Sequence, residues 1–419
     1  MQEERIRYIV IAQKYLNKRA LHDLRLDELA STMDVEYWDV SDLIGSPMGE
    51  SDYSDKEERS WERKINSYKE LKNNLSGIPS NSIIAIYTYL QQTTYSLYKK
   101  IAEYVKCVVL LVDNSTFWND CSAGHTKLDE VAPVDNTEQE KGETNKSFFK
   151  RLKSQVYKIE ILQKIIKYCR FLGDERYKQW KDQYYAHKIM ESFDNVYFVG
   201  MSQNADYRTC SPHFDEVLAV EEKSNKSARP FIVFLDSYYP MHSDLKKWVP
   251  NFNWDALREP YFNSLNAFFD RIEKQYDCEV IIGAHPNAVY KNNPYGNRKC
   301  VKFKSVELVK GAKAVMMHAG GTVTVVAYCN KPFCFMTNDA FQAGDFPSCP
   351  YGVTKKMAEV LHMPLVDTDH AQSVDGIFKK IEPELRRRFL DCYFGDCSKS
   401  KTYAEQLEDA LVDIHKRIK

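Results

Sequence analysis

The 419-residue chain has no apolar run close to the roughly 20 residues that a membrane-spanning helix needs. Its longest runs, Val105 to Val112 and Ala312 to Met317, are strand-sized, so no span is expected. No export signal is visible, and none is expected. Met1-Gln2-Glu3-Glu4 leads only briefly into apolar Tyr8 to Ala12, without a basic flank or a small-residue cleavage site. Net charge is nearly absent: 58 Lys and Arg against 59 Asp and Glu leave no field to draw in nucleic acid. The 11 cysteines form no CxxC pair, and Cys107, Cys278 and Cys334 sit in strand-like runs, where a thiol serves as a small hydrophobe. That pattern argues against disulfides and a cysteine zinc site, and for the reduced cytoplasm.

What is present reads as strands alternating with helices, over a length suited to two cores. Tyr8 to Ala12, Val35 to Trp38, Ser82 to Tyr87, Val105 to Val112, Asn195 to Gly200 and Glu216 to Val220 read as strands of a first domain. Helices are expected around Leu21 to Leu29, Lys56 to Asn74 and Thr93 to Glu103, with a helical insertion over about 146–190. The polar stretch Glu221 to Ser227 reads as a linker. Beyond it the strands Phe231 to Asp236, Glu279 to Gly283, Lys299 to Phe303, Ala314 to Met317 and Pro332 to Met336 alternate with helices at Glu259, Ser305 and Thr322. Continuous apolar strands separated by helices imply parallel sheets covered on both faces. The expected class is α/β, with two Rossmann-like domains facing across a cleft. Residues 1–222 form the acceptor domain and 228–400 the donor domain. Residues 401–419 add an amphipathic helix that packs on the first domain or on its own.

Ligands of open α/β sheets bind outside the carboxyl ends of the strands, so the residues just after each strand carry the chemical reading. One strand delivers His285, followed by Pro286, which cannot extend the ladder and pushes His285 into an extended conformation. Another runs through His318 into Gly320-Gly321-Thr322 and a helix carrying Thr324, a sequence suited to backbone N–H groups cradling a phosphate. A strand-ending His or a Gly-Gly-Thr turn is by itself commonly structural. Here they fall about 35 residues apart, one βαβ step, which joins them into a single anion site. Asp236, ending the domain's opening strand, either lines that pocket or bonds its own turn. His242 follows it closely.

The runs Phe234 to His242, Tyr261 to Phe269, Ala284-His285-Pro286, Asn293 to Arg298, Glu307-Leu308-Val309, His318 to Thr322 and Asn330-Lys331-Pro332 resemble glycosyltransferases of bacterial surface-polysaccharide gene clusters. More distantly, the His-Pro pair and the hydroxyl-bearing turn are similar to sialyl-, polysialyl- and Kdo transferases of GT-B fold. The resemblance covers about a quarter of the chain, from Phe231 to Met336, and Gly320-Gly321 stand where many relatives carry serines or threonines. It implies transfer of a sugar from a CMP-linked donor, a nonulosonic or Kdo-type acid, to a glycan or lipid-linked glycan acceptor. The location implied is the cytoplasm or the inner face of the membrane. His285 and Thr322 or Thr324 would contact the donor phosphate, and Glu307 would hold its ribose. Neither a bound metal nor a cofactor beyond the donor is implied.

Charge gathering on the leaving nucleotide calls for His285 as imidazolium and for the Gly320 to Thr322 amides. The acceptor hydroxyl calls for a base from the first domain, with Asp113 as first candidate and Asp23 as second. The cluster Gln13, Asn17, Lys18 and Arg19 lies at the same mouth. Three other readings stay open: a polyol-phosphate transferase using a CDP carrier, a non-catalytic glycan-binding relative, and a non-hydrolysing sugar epimerase.

Overall fold

The computed structural model describes residues 5–44, 56–88, 90–112, 116–123, 126–128, 180–203, 205–220, 229–242, 245–246, 249, 252–343, 350–395 and 401–418. The expected linker, most of the 146–190 insertion and Asp113 lie outside them. The strands are β1 (Arg7–Ala12), β2 (Asp34–Asp39), β3 (Glu62–Lys64), β4 (Ile83–Tyr87), β5 (Cys107–Val112), β6 (Asn195–Gly200) and β7 (Tyr207–Arg208). They continue with β8 (Phe231–Leu235), β9 (Glu279–Gly283), β10 (Cys300–Val301), β11 (Val315–Met317), β12 (Phe333–Thr337) and β13 (Leu365–Asp367).

The first seven strands form one sheet in the order β3-β2-β1-β4-β5-β6-β7, and the last six a second in the order β10-β9-β8-β11-β12-β13. Every strand pair is parallel. In each sheet the chain steps outward one way from its first strand, then returns to that strand's other side. This is the Rossmann order, and the reversal opens a crevice at the carboxyl edge, between β1 and β4 and between β8 and β11. The α/β reading with two Rossmann-like domains therefore holds.

Helices α1 (Lys18–Leu24), α2 (Leu26–Thr32), α3 (Ser41–Ile44), α4 (Tyr68–Leu75), α5 (Gln92–Ile101) and α6 (Thr116–Ala123) follow the first five strands, and α7 (Pro212–Ala219) follows β7. Beyond β8 come α8 (Arg258–Tyr276), α9 (Ser305–Gly311), α10 (Val323–Tyr328), α11 (Asp339–Gln342), α12 (Pro350–Val360), α13 (Pro383–Phe394) and α14 (Tyr403–Ile418).

Two expected elements differ. The helix over Lys56 to Asn74 is replaced by β3, whose Glu62, Arg63 and Lys64 pair with Tyr37, Trp38 and Asp39, and by the shorter α4, which starts from the Ser67 cap. The strand over Glu216 to Val220 is the end of α7. Ser211 caps it, its side chain accepting from the His213 amide, and Pro212 fills the first turn, where a missing N–H costs nothing.

The halves meet through helices. Phe117 of α6 packs 4.7 Å from both Phe389 and Tyr393 of α13, Phe214 of α7 lies 5.5 Å from Tyr328 of α10, and Lys310 donates to the carbonyls of Val217 and Val220. After α13 the chain returns to the first domain at Gly395, whose φ is 83° and whose missing Cβ would overlap the Thr209 carbonyl. Helix α14 then lies on the first sheet's core, with Leu407, Leu411 and Ile414 fully buried beside Tyr8, Val10 and Leu26. That decides between the two placements expected for it.

Leu411→Ala is expected to cost about 2–5 kcal/mol of unfolding free energy, the usual range for emptying a buried leucine site. Urea denaturation of the whole chain measures it.

Candidate functional site

At the carboxyl edge of the second sheet, β9, β8 and β11 are consecutive neighbours, so His285, Asp236 and the Gly320-Gly321-Thr322 turn end up side by side. Two strand steps, about 10 Å, separate the strand that carries the imidazole from the strand that carries the glycines. The sheet thus brings together the two features joined from the sequence.

Asp236 is almost wholly buried. One carboxylate oxygen accepts the Tyr238 amide at 2.7 Å. The other accepts the Tyr290 hydroxyl at 2.5 Å and the His285 amide at 3.4 Å. Burial raises its proton affinity above the ordinary aspartate range, with the surrounding donors pulling the other way. The carboxylate therefore faces protein donors, and its influence on a ligand passes through the backbone it holds, the His285 N–H and the Tyr238 turn. This is the turn-bonding account and not that of a pocket-lining group.

The His285 ring is half-buried. Tyr238 lies parallel to it at 6.3 Å between centroids, and His242 stands edge-on at 5.0 Å. Its Nδ1 accepts the Asn287 amide at 3.1 Å. An acceptor at Nδ1 places the ring proton on Nε2, so His285 offers a donor through Nε2 without needing charge. The expected imidazolium would set Nδ1–H against the Asn287 N–H, two donors face to face. Pro286 is exposed and belongs to the turn after His285.

In the second loop, residues expected to share one role divide. The His318 ring is buried in the core, Nδ1 donating to the Met336 carbonyl and Nε2 accepting the Tyr261 hydroxyl, each at 2.8 Å, and Phe341 stacks at 4.1 Å. Both nitrogens are used inside the domain, so His318 is corrected to a structural residue. Thr324 is fully buried, and its hydroxyl donates to the Gly321 carbonyl at 2.8 Å, which removes it as a phosphate contact. The Gly320, Gly321 and Thr322 amides have no acceptor among the described residues, and the Thr322 side chain does not cap α10. Neither glycine has a left-handed φ, and a Cβ on Gly321 would meet nothing within 4 Å. The backbone does not demand glycine there, and the space a Gly321 side chain would fill is open.

Glu307 is exposed in the first turn of α9, which starts from this edge, and pairs with Lys304 at 3.8 Å. A paired carboxylate also escaped the reading of the sequence: Asp367-Thr368-Asp369, with an Asp-x-Asp spacing at the end of β13. Asp339 and His370 join Asp367 there. These groups serve one another, Asp367 accepting from the Asp369 and His370 amides and His370 lying 3.0 Å from Asp339.

Across the cleft, Lys18 at the start of α1 sits over the Phe303 ring at 5.1 Å, which brings the end of β1 up to the second domain. Asn17 caps α1, accepting the Ala20 amide. Asp23 is held by Arg19 at 3.1 Å and His22 at 2.8 Å. Burial alone would raise its carboxyl, but His22 and Arg19 outweigh it and hold the group below the usual range. Such a carboxylate is a poor proton acceptor, which counts against Asp23 as the base. Burial pulls His22 down, and Asp23 and Glu216 more than offset it, leaving it raised to about 9. Arg19, Asp23, Tyr87, Gly200, Thr209 and Tyr403 line a cavity of about 40 Å³ at this edge, room for a few waters rather than a sugar ring.

No protein-family model and no curated protein sequence matches the chain. Among solved structures it is similar to a Listeria monocytogenes protein described as a UDP-N-acetylglucosamine 2-epimerase, at 8% identity and a TM-score of 0.43, covering 99% of this chain and 97% of that one. It is similar also to the glycosyltransferase SnogD of Streptomyces nogalater, at 9% identity and a TM-score of 0.34, covering 99% and 95%. A third is the wall teichoic acid polymerase TagF, at 13% identity and a TM-score of 0.39, covering 98% and 88%. Likeness at these scores carries no argument about activity. No described helix is long and apolar enough to cross a membrane.

His318 has its imidazole lowered to about 4 by burial, against an ordinary 6.5. Between those values the unfolded chain takes up a proton that the folded chain refuses. Stability is therefore expected to fall as pH drops from about 6.5 to about 4, by up to about 1.4 kcal/mol per pH unit for one proton. Denaturant titrations across that range should show this slope in the wild type and a shallower one in His318→Gln.

Proposed function

We propose that this chain is a glycosyltransferase of GT-B type that binds the phosphate of a nucleotide-activated sugar between His285 and the Gly320-Gly321-Thr322 turn. The observation that carries the reading is the pairing of three unclaimed amides, on a turn whose Gly321 leaves its side-chain space open, and an imidazole whose Nε2 is the protonated nitrogen, at nearby carboxyl ends of one sheet. Both are hydrogen-bond donors, and neither is a carboxylate. Donors fixed before the reaction stabilise charge that grows on a leaving phosphate without reorganising when it appears. Glu307, in the first turn of α9 at that edge, is suited to the donor's ribose hydroxyls.

The resemblance carried by Ala284-His285-Pro286 and the Gly-Gly-Thr turn favours a CMP-linked nonulosonic or Kdo-type acid as donor and a glycan of a bacterial surface polysaccharide as acceptor. Transfer then proceeds by displacement at the anomeric carbon, with the phosphate held by protein donors instead of a metal. Asp113 remains the proposed base for the acceptor hydroxyl.

Thermal unfolding with CMP, CDP, UDP and GDP tests the donor. CMP at about 100 times its dissociation constant is expected to stabilise the fold by about 2.7 kcal/mol. A preference for CDP turns the reading to polyol-phosphate transfer, and a preference for UDP or GDP removes the CMP assignment. His285→Ala is expected to keep the fold and lower turnover by about 100-fold or more, the scale of losing one charge-stabilising donor. Unchanged turnover with CMP-sugar would overturn the role of His285.

A further inference from the structure

A second cluster lies in the first domain, away from the proposed phosphate site. The last turn of α1 supplies His22, and α7 supplies His213 and Glu216, three residues apart on one helix face. His22 Nε2 lies 3.1 Å from one Glu216 oxygen, and His213 Nδ1 lies 3.5 Å from the other. One ligand atom from each residue falls within 4.8 Å of the other two. An ion bound tetrahedrally at about 2.0–2.1 Å holds its ligands about 3.3 Å apart, so each histidine already stands near that spacing from one Glu216 oxygen, and the set has to close only from within 4.8 Å.

Two further observations point inward. His22 Nε2 and His213 Nδ1 are both shut off from solvent and face only Glu216, at 3.1 Å and 3.5 Å, without a well-aligned hydrogen bond. Behind the cluster Asp23 lies 2.8 Å from His22 Nδ1. A carboxylate accepting the Nδ1–H bond fixes the ring with Nε2 facing Glu216, where a bound metal would replace the Nε2 proton, the arrangement that orients histidines around metals.

We propose that His22, His213 and Glu216 form a binding site for a divalent transition metal of the zinc class, with Asp23 orienting His22 from behind. Two imidazoles and a carboxylate are a donor set that suits such ions, and calcium and magnesium take oxygen ligands instead. The ion has a mechanical consequence. Helix α7 is the last described element before the second domain, on which it packs through Phe214 and Lys310. Arg25, between α1 and α2, already grips the Pro212 carbonyl at 2.6 Å. A metal across His22 and α7 adds a second clasp at that joint.

The test uses the full-length chain, stripped with a chelator and titrated with ZnCl2, with bound metal counted by mass spectrometry and unfolding followed by circular dichroism. One zinc per chain and a raised melting temperature are expected. Affinity should fall more than tenfold in His213→Ala and in Glu216→Gln, and by about 10- to 100-fold in Asp23→Asn. If a variant does not fold, the cobalt(II)-loaded wild type decides: visible ligand-field bands without a thiolate charge-transfer band support the site. Absence of binding, equal zinc affinity in a folded His213→Ala/Glu216→Gln double variant, or a spectrum dominated by thiolate charge transfer would overturn it. Nucleotide binding at His285 is read separately, so either proposal can fail while the other stands.

Discussion

Parallel strands all finish on the same edge of their sheet, and the rest of this molecule's chemistry depends on that constraint. In the second domain it lines up the ends of β9, β8 and β11. Asp236 fixes two of these ends to each other by accepting the amides of Tyr238 and His285 while Tyr290 covers it. A buried carboxylate with donors on both oxygens tolerates little displacement, since each lost partner leaves charge or lone pairs unsatisfied in a dry site. His285 is thus positioned by its backbone as much as by its side chain.

The same constraint explains what was legible in the sequence. Runs such as Tyr8 to Ala12 and Phe231 to Leu235 are apolar throughout because both faces of each sheet are covered, so the strands and the two-domain plan could be read directly. Helix α7 was misread because Val217, Leu218 and Val220 look like a strand, although Leu218 is exposed and the Ser211-Pro212 start was the signal to follow. Edge strand β3 is short and charged, and only its pairing with β2 identifies it. At the site, strand ends could be found but side-chain directions could not. His318 follows β11 directly and His285 follows β9 by two residues, yet Phe341, Tyr261 and Met336, distant in sequence, claim the His318 ring. No local pattern distinguishes the two histidines. The Asp367-x-Asp369 spacing was simply there to be read.

The joint between the domains rests on contacts of very different range. Phe117, Phe389 and Tyr393 form an aromatic cluster, and the return at Gly395 allows a backbone approach that any side chain would block. Helix α14 extends that return along the first sheet, where Asp215 of α7 accepts the amides of Tyr403 and Ala404 at its start. Helix α7 therefore touches α1, α14 and the second domain at once, and any change in its position is felt on both sides of the cleft. Lys18 over Phe303 joins the end of β1 to the second domain.

Holding an anion beside a buried aspartate looks unfavourable until the donors are placed. Asp236 accepts protein donors on both oxygens, so its lone pairs are directed at the loop it holds and away from a phosphate in front of that loop. His285 presents Nε2–H because Asn287 occupies Nδ1, and the Gly320 to Thr322 amides add dipoles that need no counter-charge. Recognition by fixed dipoles is less sensitive to salt than recognition by exposed lysines, and it rewards exact placement of the phosphate more than total charge. A site of this kind suits a monoanionic or dianionic leaving group delivered in one orientation, and the rigidity that Asp236 confers is what makes such discrimination physically available.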